Sequence, residues 1–141
     1  MSPVNKKSAA LIIVSGKTVL LCKRATECYI TKKAIPFGGY WSFIAGGIEK
    51  DESSIECVIR EAKEEISIDV NKDDIKHIEN FKNDSGKIIE VFGVFLEKLP
   101  KIKLNPEHTI YMWFDYSHID EFPYKIDDKF KQSIKKFVEN L

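Results

Sequence analysis

The sequence has little that could hold a small scaffold together covalently. It carries three cysteines, Cys22, Cys28 and Cys57, with no CxxC pair and no histidine cluster beside them. An odd count without paired spacing argues against a disulfide framework or a zinc knuckle, and free thiols in a reducing cytoplasm are the expectation. Seven glycines and five prolines are too few for a collagen-like or low-complexity chain. Net charge is also missing: 22 Lys plus Arg balance 22 Asp plus Glu. No overall field therefore recruits long nucleic acid or an anionic membrane. No apolar run approaches the roughly 20 residues of a membrane helix. The early run 9–14 ends at Ser15-Gly16-Lys17 and lacks the features of a signal peptide. What remains is 141 residues, 43% hydrophobic and 11% aromatic. That suits one domain, 1–141, with a core large enough to exclude disorder.

Residues 9–14 and 18–22 are short aliphatic runs around Ser15-Gly16-Lys17 and predict a hairpin. Residues 23–40 read as a loop or a loop with a short strand, residues 41–44 as a third apolar run broken by Gly46-Gly47. From 53 to 66, Ile55, Val58, Ile59, Ala62 and Ile66 recur at the spacing of an amphipathic helix, and Ser53 with Glu56 forms a capping box at its start. Residues 68–70, 75–81, 88–96 and 109–115 read as strands, with a turn at 83–86. Asp127 caps a closing helix with apolar positions Phe130, Ile134, Phe137, Val138 and Leu141. The pattern predicts an α/β chain: a mixed sheet with a helix on each face.

The central helix carries the chemistry. Glu61, Glu64 and Glu65 are expected opposite its apolar stripe, with Glu64 about 60° to one side of Glu61 and Glu65 about 40° to the other. Like charges about 4 Å apart near a surface repel by about 4 kcal/mol. Lys63 lies between them in sequence but projects about 100° from Glu64. A divalent cation would turn that repulsion into attraction. Oxygen ligands without nearby His or Cys select Mg²⁺ or Mn²⁺ over zinc, and Mg²⁺ commonly shares its shell with substrate phosphates.

From Gly46 the chain reads Gly46, five residues, Glu52, seven residues, then Arg60-Glu61-Ala62-Lys63-Glu64-Glu65-Ile66-Ser67-Ile68. Residues 46–68 closely resemble the signature box of the Nudix hydrolases, Gly-x5-Glu-x7-Arg-Glu-U-x-Glu-Glu-x-Gly-U, with U bulky and aliphatic. Six identities at roughly 6% frequency each coincide by chance about once in 10⁷ starts, so the match is specific. The chain departs from the box at Ser67, which replaces its second Gly, and at Ala62, a small residue at the first U. Ile44-Ala45 stands where Pro-Gly often precedes it. Outside the box, Leu20-Leu21-Cys22-Lys23-Arg24 and Trp41-Ser42-Phe43 are similar to family strands, and Glu107 matches a loop Glu that many members place near the metals.

The resemblance implies a Nudix fold, an α/β/α sandwich with a central mixed β-sheet. It implies hydrolysis of a nucleoside diphosphate linked to another group, with Mg²⁺ or Mn²⁺ as cofactor. It further implies that Glu61 and Glu65 are main ligands, Glu64 a third ligand or the base, the Ala45 carbonyl a further ligand, and Arg60 a structural partner of Glu52. Either Glu107 or Glu64 would take the proton of the attacking water. Arg24, at a strand end, suits phosphate contact. Lys33 could meet terminal phosphates, and Phe37, Tyr40 and Phe43 could stack on a base, Tyr40 best. His108, beside Glu107, would stand behind the metals; His77 and His118 read as surface or structural. By default the expected substrate is a small nucleotide: a nucleoside or deoxynucleoside triphosphate, cut to monophosphate and pyrophosphate. The alternatives are a dinucleoside polyphosphate hydrolase and a Nudix module that binds nucleotides without turnover. A homodimer stays open, no membrane partner is expected, and the expected compartment is the cytoplasm.

Overall fold

The computed structural model describes residues 7–28, 30–34, 38–83 and 86–141. The strands are β1 Lys7–Ser15, β2 Thr18–Arg24, β3 Trp41–Ser42, β4 Ile44–Gly47, β5 Lys76–Lys82, β6 Ile88–Phe95 and β7 His108–Asp115. Helix α1 spans Ser54–Ile66 and α2 spans Asp128–Glu139, with short 3-10 turns at Lys72–Asp74 and Tyr116–Glu121.

Among the described residues all seven strands form one mixed sheet. β1 runs parallel to β6 from Lys7↔Ile88 to Val14↔Phe95. Its other edge is shared: β4 pairs antiparallel from Ser8↔Gly47 to Leu11↔Ile44, and β2 joins only at Val14↔Val19 and Ser15↔Thr18. β2 then diverges to pair β7 along its length and β3 at Cys22 and Lys23. The expected hairpin therefore exists only at its turn.

β1 explains the layering. Eight of its nine residues are buried, which a strand tolerates only when both faces are covered. Ala9, Leu11 and Ile13 face a core that includes Val58, Ala62 and Ile66 of α1. Ala10, Ile12 and Val14 face a second core that includes Ile134 and Phe137 of α2. Period-2 alternation thus gives each helix its own side of the sheet. Gly93 of β6 makes room for α2: a Cβ there would lie 2.7 Å from the Phe137 ring. The α/β/α sandwich with a mixed sheet is the observed architecture.

Four sequence expectations need correction. Residues 68–70 are not a strand; Ile68 and Val70 are buried in the α1-side core without joining a ladder. Two apolar side chains separated by Asp69 can meet their burial demand in an unpaired segment. The run 41–44 is two strands, because the chain crosses from β2 to β1 at Phe43. Gly46-Gly47 does not break the run; β4 continues through both against Ala9 and Ser8. Leu141 lies beyond α2 and is 54% exposed. The turn expected at 83–86 includes Asp84 and Ser85, which lie outside the described residues, as does Phe37.

Candidate active site

Helix α1 begins with the expected box: Ser53 Oγ accepts from Glu56 N–H at 3.1 Å, and Glu56 Oε1 accepts from Ser53 N–H at 2.8 Å. It ends with Ser67 at φ +61°, a left-handed conformation, its N–H bonded to the Ala62 and Lys63 carbonyls. That conformation explains why glycine suits the position and why serine there is strained. Between these ends the buried face differs from the expected stripe. Cys57, Glu61 and Glu65, successive i+4 neighbours, are buried beside Val58, Ala62 and Ile66. Glu61 and Glu65 therefore lie at the edge of the apolar face, not opposite it. Glu64 alone of the three projects outward, with its side chain 53% exposed.

A third carboxylate reaches the pair from the loop before β7. Asn105 N–H donates to the Glu65 carbonyl at 3.0 Å and Lys103 N–H to the Ile66 carbonyl at 3.1 Å, using orphan acceptors at the end of α1. Ala25 N–H donates to the Glu107 carbonyl at 2.9 Å. So clamped, Glu107 joins Glu61 and Glu65, each offering an oxygen within 4.8 Å of the others. On the opposite wall, Gly46 lies against the Glu61 carboxyl, where a Cβ would sit 2.2 Å from it. Only glycine admits that approach, which gives the first box residue its physical reason.

Arg60 organises the box from outside. Its Nε and one terminal nitrogen donate to the two Glu52 oxygens at 2.7 and 3.0 Å, a bidentate pair. The other terminal nitrogen donates to Glu61 Oε1 at 2.9 Å and Glu64 Oε2 at 3.2 Å. The Gly47 carbonyl accepts from the same guanidinium at 3.2 Å. The Arg60 hydrogen bonds hold the Glu52 carboxyl down at about 2. Burial, followed by the neighbouring Glu65, pushes Glu61 up to about 8. Burial lifts Glu65 to about 7, with the Glu107 charge adding to it. These acids are costly to ionise where they stand. Cys57 is no nucleophile, since burial pushes its thiol up to about 12.

The cluster opens into a cleft of about 580 Å³ whose lining includes Arg24, Tyr40, Ala45, Gly46, Glu61 and Glu107. Its far end is lined by Phe81, Asn83, Lys87, Asp127 and Phe130. The cleft thus gathers five of the sequence-predicted residues: Arg24, Tyr40, Ala45, Glu61 and Glu107. Glu65 lies directly behind them, 2% exposed. Three others are placed elsewhere. Phe43 is 2% exposed and packs on Phe130 at 4.6 Å between ring centroids, a core contact that removes it from substrate. Lys33 is exposed on the 26–34 loop and does not line the cleft. Glu64 faces Arg60, not the cluster. Sequence reasoning missed the far wall, because Phe81, Asn83 and Asp127 meet only through tertiary folding. The Asp127 helix cap, accepting from Lys129 N–H at 2.8 Å, was the one signal available.

The donor set fits a hard divalent cation. It is all oxygen, Glu65 Oε2 is buried with no hydrogen-bond partner among the described residues, and the acids resist ionisation without compensating charge. A family model described as "NUDIX domain" matches residues 5–141. The chain belongs to the Nudix family. Over 93 residues, 64% of its length, this Nudix chain is 39% identical to the m7GpppN-mRNA hydrolase of Saccharomyces cerevisiae, spanning only about 10% of that relative. The solved structure of a MutT protein from Methanosarcina mazei Go1 shares the fold with TM-score 0.73 and 24% identity, covering 99% of this chain and 98% of that one. A C. elegans Ap4A hydrolase, solved as a binary complex, matches with TM-score 0.72 and 22% identity over 95% and 97% of the two chains. Among the described residues of this Nudix domain, no helix is long and apolar enough to cross a membrane.

Proposed function

We propose that the chain hydrolyses a pyrophosphate bond in nucleoside diphosphate-X substrates, cutting a nucleoside or deoxynucleoside triphosphate to monophosphate and pyrophosphate. The observation that carries this reading is the convergence of Glu61, Glu65 and Glu107 at one end of an open cleft that also holds Arg24. Glu61, Glu65 and Glu107 would hold Mg²⁺ or Mn²⁺, with the Ala45 carbonyl beside them. Bound there, the cation supplies charge neutralisation for the polyphosphate oxygens. Arg24 contributes a guanidinium fork to a phosphate. Tyr40, with the Lys125 ammonium 5.8 Å from its ring centroid, offers a face to the base. A water oxygen bonds to phosphorus as the bridging P–O bond breaks, and the water's proton passes to a carboxylate. Glu107, through the oxygen that does not hold the cation, suits that task better than Glu64, because it lines the cleft while Glu64 is turned toward Arg60. The sequence leaves the base open between Glu64 and Glu107, and this reading assigns it to Glu107. Three free cysteines agree with a reducing cytoplasm as the compartment.

A second reading is hydrolysis of a dinucleoside polyphosphate. Tyr124, 55% exposed, stacks on Trp41 at 5.6 Å beside the cleft and offers a platform for a second base. The yeast relative is named for an m7GpppN substrate, a linkage of the same chemical kind. A panel of nucleoside triphosphates, dinucleoside polyphosphates and nucleotide sugars, run with Mg²⁺ and resolved by ion exchange, tests both. Monophosphate plus pyrophosphate from triphosphates is the expected outcome. Turnover confined to dinucleoside polyphosphates would select the second reading. Nucleotide and Mn²⁺ binding without any turnover would leave a binding module instead.

A further inference from the structure

His108 is out of keeping with its strand. The next three residues of β7 are exposed, yet His108 is 5% exposed. It is drawn inward where the β2–β7 register shifts at Lys23/Arg24, so that Arg24 pairs with His108. The ring hydrogen-bonds Glu65: Nε2 lies 2.6 Å from Glu65 Oε1, and both groups are buried. With a cation bound Glu65 is ionised and only accepts hydrogen bonds, so the imidazole donates from Nε2 and the buried Nδ1, without a partner among the described residues, stays bare. The other Glu65 oxygen, Oε2, is buried and has no donor among the described residues. Glu65 is therefore split by its surroundings, one oxygen held by His108 and the carboxyl otherwise met by the neighbouring acid of Glu61, a pairing that a shared cation would relieve.

We propose that His108 is a positioning residue: its Nε2–H fixes Glu65 Oε1 so that Oε2 is presented as the cation ligand. The inference rests on the reading that Glu61, Glu65 and Glu107 hold a divalent cation. It adds that residues 107 and 108 act as a unit, Glu107 supplying a ligand and His108 fixing one on the facing helix. A ligating carboxylate without its supporting donor is free to rotate, and such losses cost about 10- to 100-fold in metal affinity. A core histidine kept only for packing would show no such effect.

The test uses the full chain and Mn²⁺ alone, followed by calorimetric titration and by the Mn²⁺ electron paramagnetic resonance signal. His108→Leu fills the site without a donor and is expected to weaken Mn²⁺ binding about 10- to 100-fold. His108→Gln places an amide N–H near the position of Nε2 and is expected to bind within a few-fold of wild type. Should the leucine variant fail to fold, His108→Asn replaces it, its amide being too short to reach Glu65. Equal affinity in wild type and the donor-less variant overturns the positioning role while leaving the cation site standing. So does a loss in His108→Gln as large as in His108→Leu. No Mn²⁺ binding by wild type would instead remove the cation reading, and the role of His108 with it.

Discussion

Glu65→Gln separates what a buried acid costs the fold from what it does for chemistry. Glu65 is 2% exposed and its carboxyl is raised from 4.5 to about 7, chiefly by burial. A group raised in the folded state contributes stability that is fully present below about pH 4.5 and lost as pH rises through about 7. At about 1.36 kcal/mol per pK unit, the metal-free wild type gives up about 3 kcal/mol across that window. Glutamine cannot ionise, so the variant escapes the loss. It keeps an amide oxygen for His108 Nε2–H but leaves one polar group unsatisfied, a cost of about 1–3 kcal/mol. The net expectation at pH 8 with chelator is a gain of about 1 kcal/mol, or about 2–4 °C in melting temperature. At pH 5 the gain vanishes or reverses. With saturating Mn²⁺ the order inverts, since wild type gains about 2.7 kcal/mol at a hundred times Kd and the variant gains little. Turnover falls by about a hundredfold or more, because several kcal/mol of charge stabilisation depend on the ligand. The assay is thermal unfolding from pH 5 to 9 with chelator and with Mn²⁺, beside product release at pH 8. Wild-type turnover in Glu65→Gln, or a metal-free wild type whose stability relative to the variant does not fall between pH 5 and 8, would refute the reasoning.

Three more perturbations follow from the same geometry. Arg60→Lys replaces the bidentate grip on Glu52 with a point charge and releases Glu61, so stability should fall by about 1–2 kcal/mol in urea unfolding; an unchanged midpoint would show the network to be dispensable. Ser67→Gly relieves the left-handed serine at the end of α1 and sacrifices a 3.3 Å bond from Ser67 Oγ to the Lys103 carbonyl, for a net gain of about 0.5 kcal/mol; a lower melting temperature would count against backbone strain there. Gly93→Ala drives a methyl group to 2.7 Å from the Phe137 ring and should cost about 1–3 kcal/mol while leaving turnover per folded molecule intact. A loss of specific activity in the folded fraction would mean that α2 packing reaches the cleft.

The parts of this molecule legible in the sequence are those written within a single element. The capping box at Ser53 and Glu56, the Asp127 cap and the Glu52–Arg60 spacing each lie inside a few helical turns, where local geometry decides. The separation of Glu64 from Glu61 and Glu65 was not legible. A helical wheel gives angles but not which flank a neighbouring sheet covers, and the cover of β4 and the 103–107 loop makes 61 and 65 buried and 64 exposed. Ile68 and Val70 misled in the opposite way, because alternation records burial and says nothing of a hydrogen-bonding partner. Phe43 looked available for stacking until the crossing from β3 to β4 turned it onto Phe130. Glu107 could be placed beside the metals only by resemblance; the chain path that delivers it depends on the carbonyls of Glu65 and Ile66.

The buried first strand has a consequence for how the molecule comes apart. Because alternate residues of β1 anchor both hydrophobic layers, neither helix can release its layer without loosening the strand that serves the other. Unfolding should therefore be a single event for both halves, with one calorimetric transition, and the amides of β1 and β6 should be the last to exchange with deuterium. A helix tied in this way, carrying Glu61 and Glu65, has no partial opening available to it, so any reshaping of the cleft falls to the loops around it.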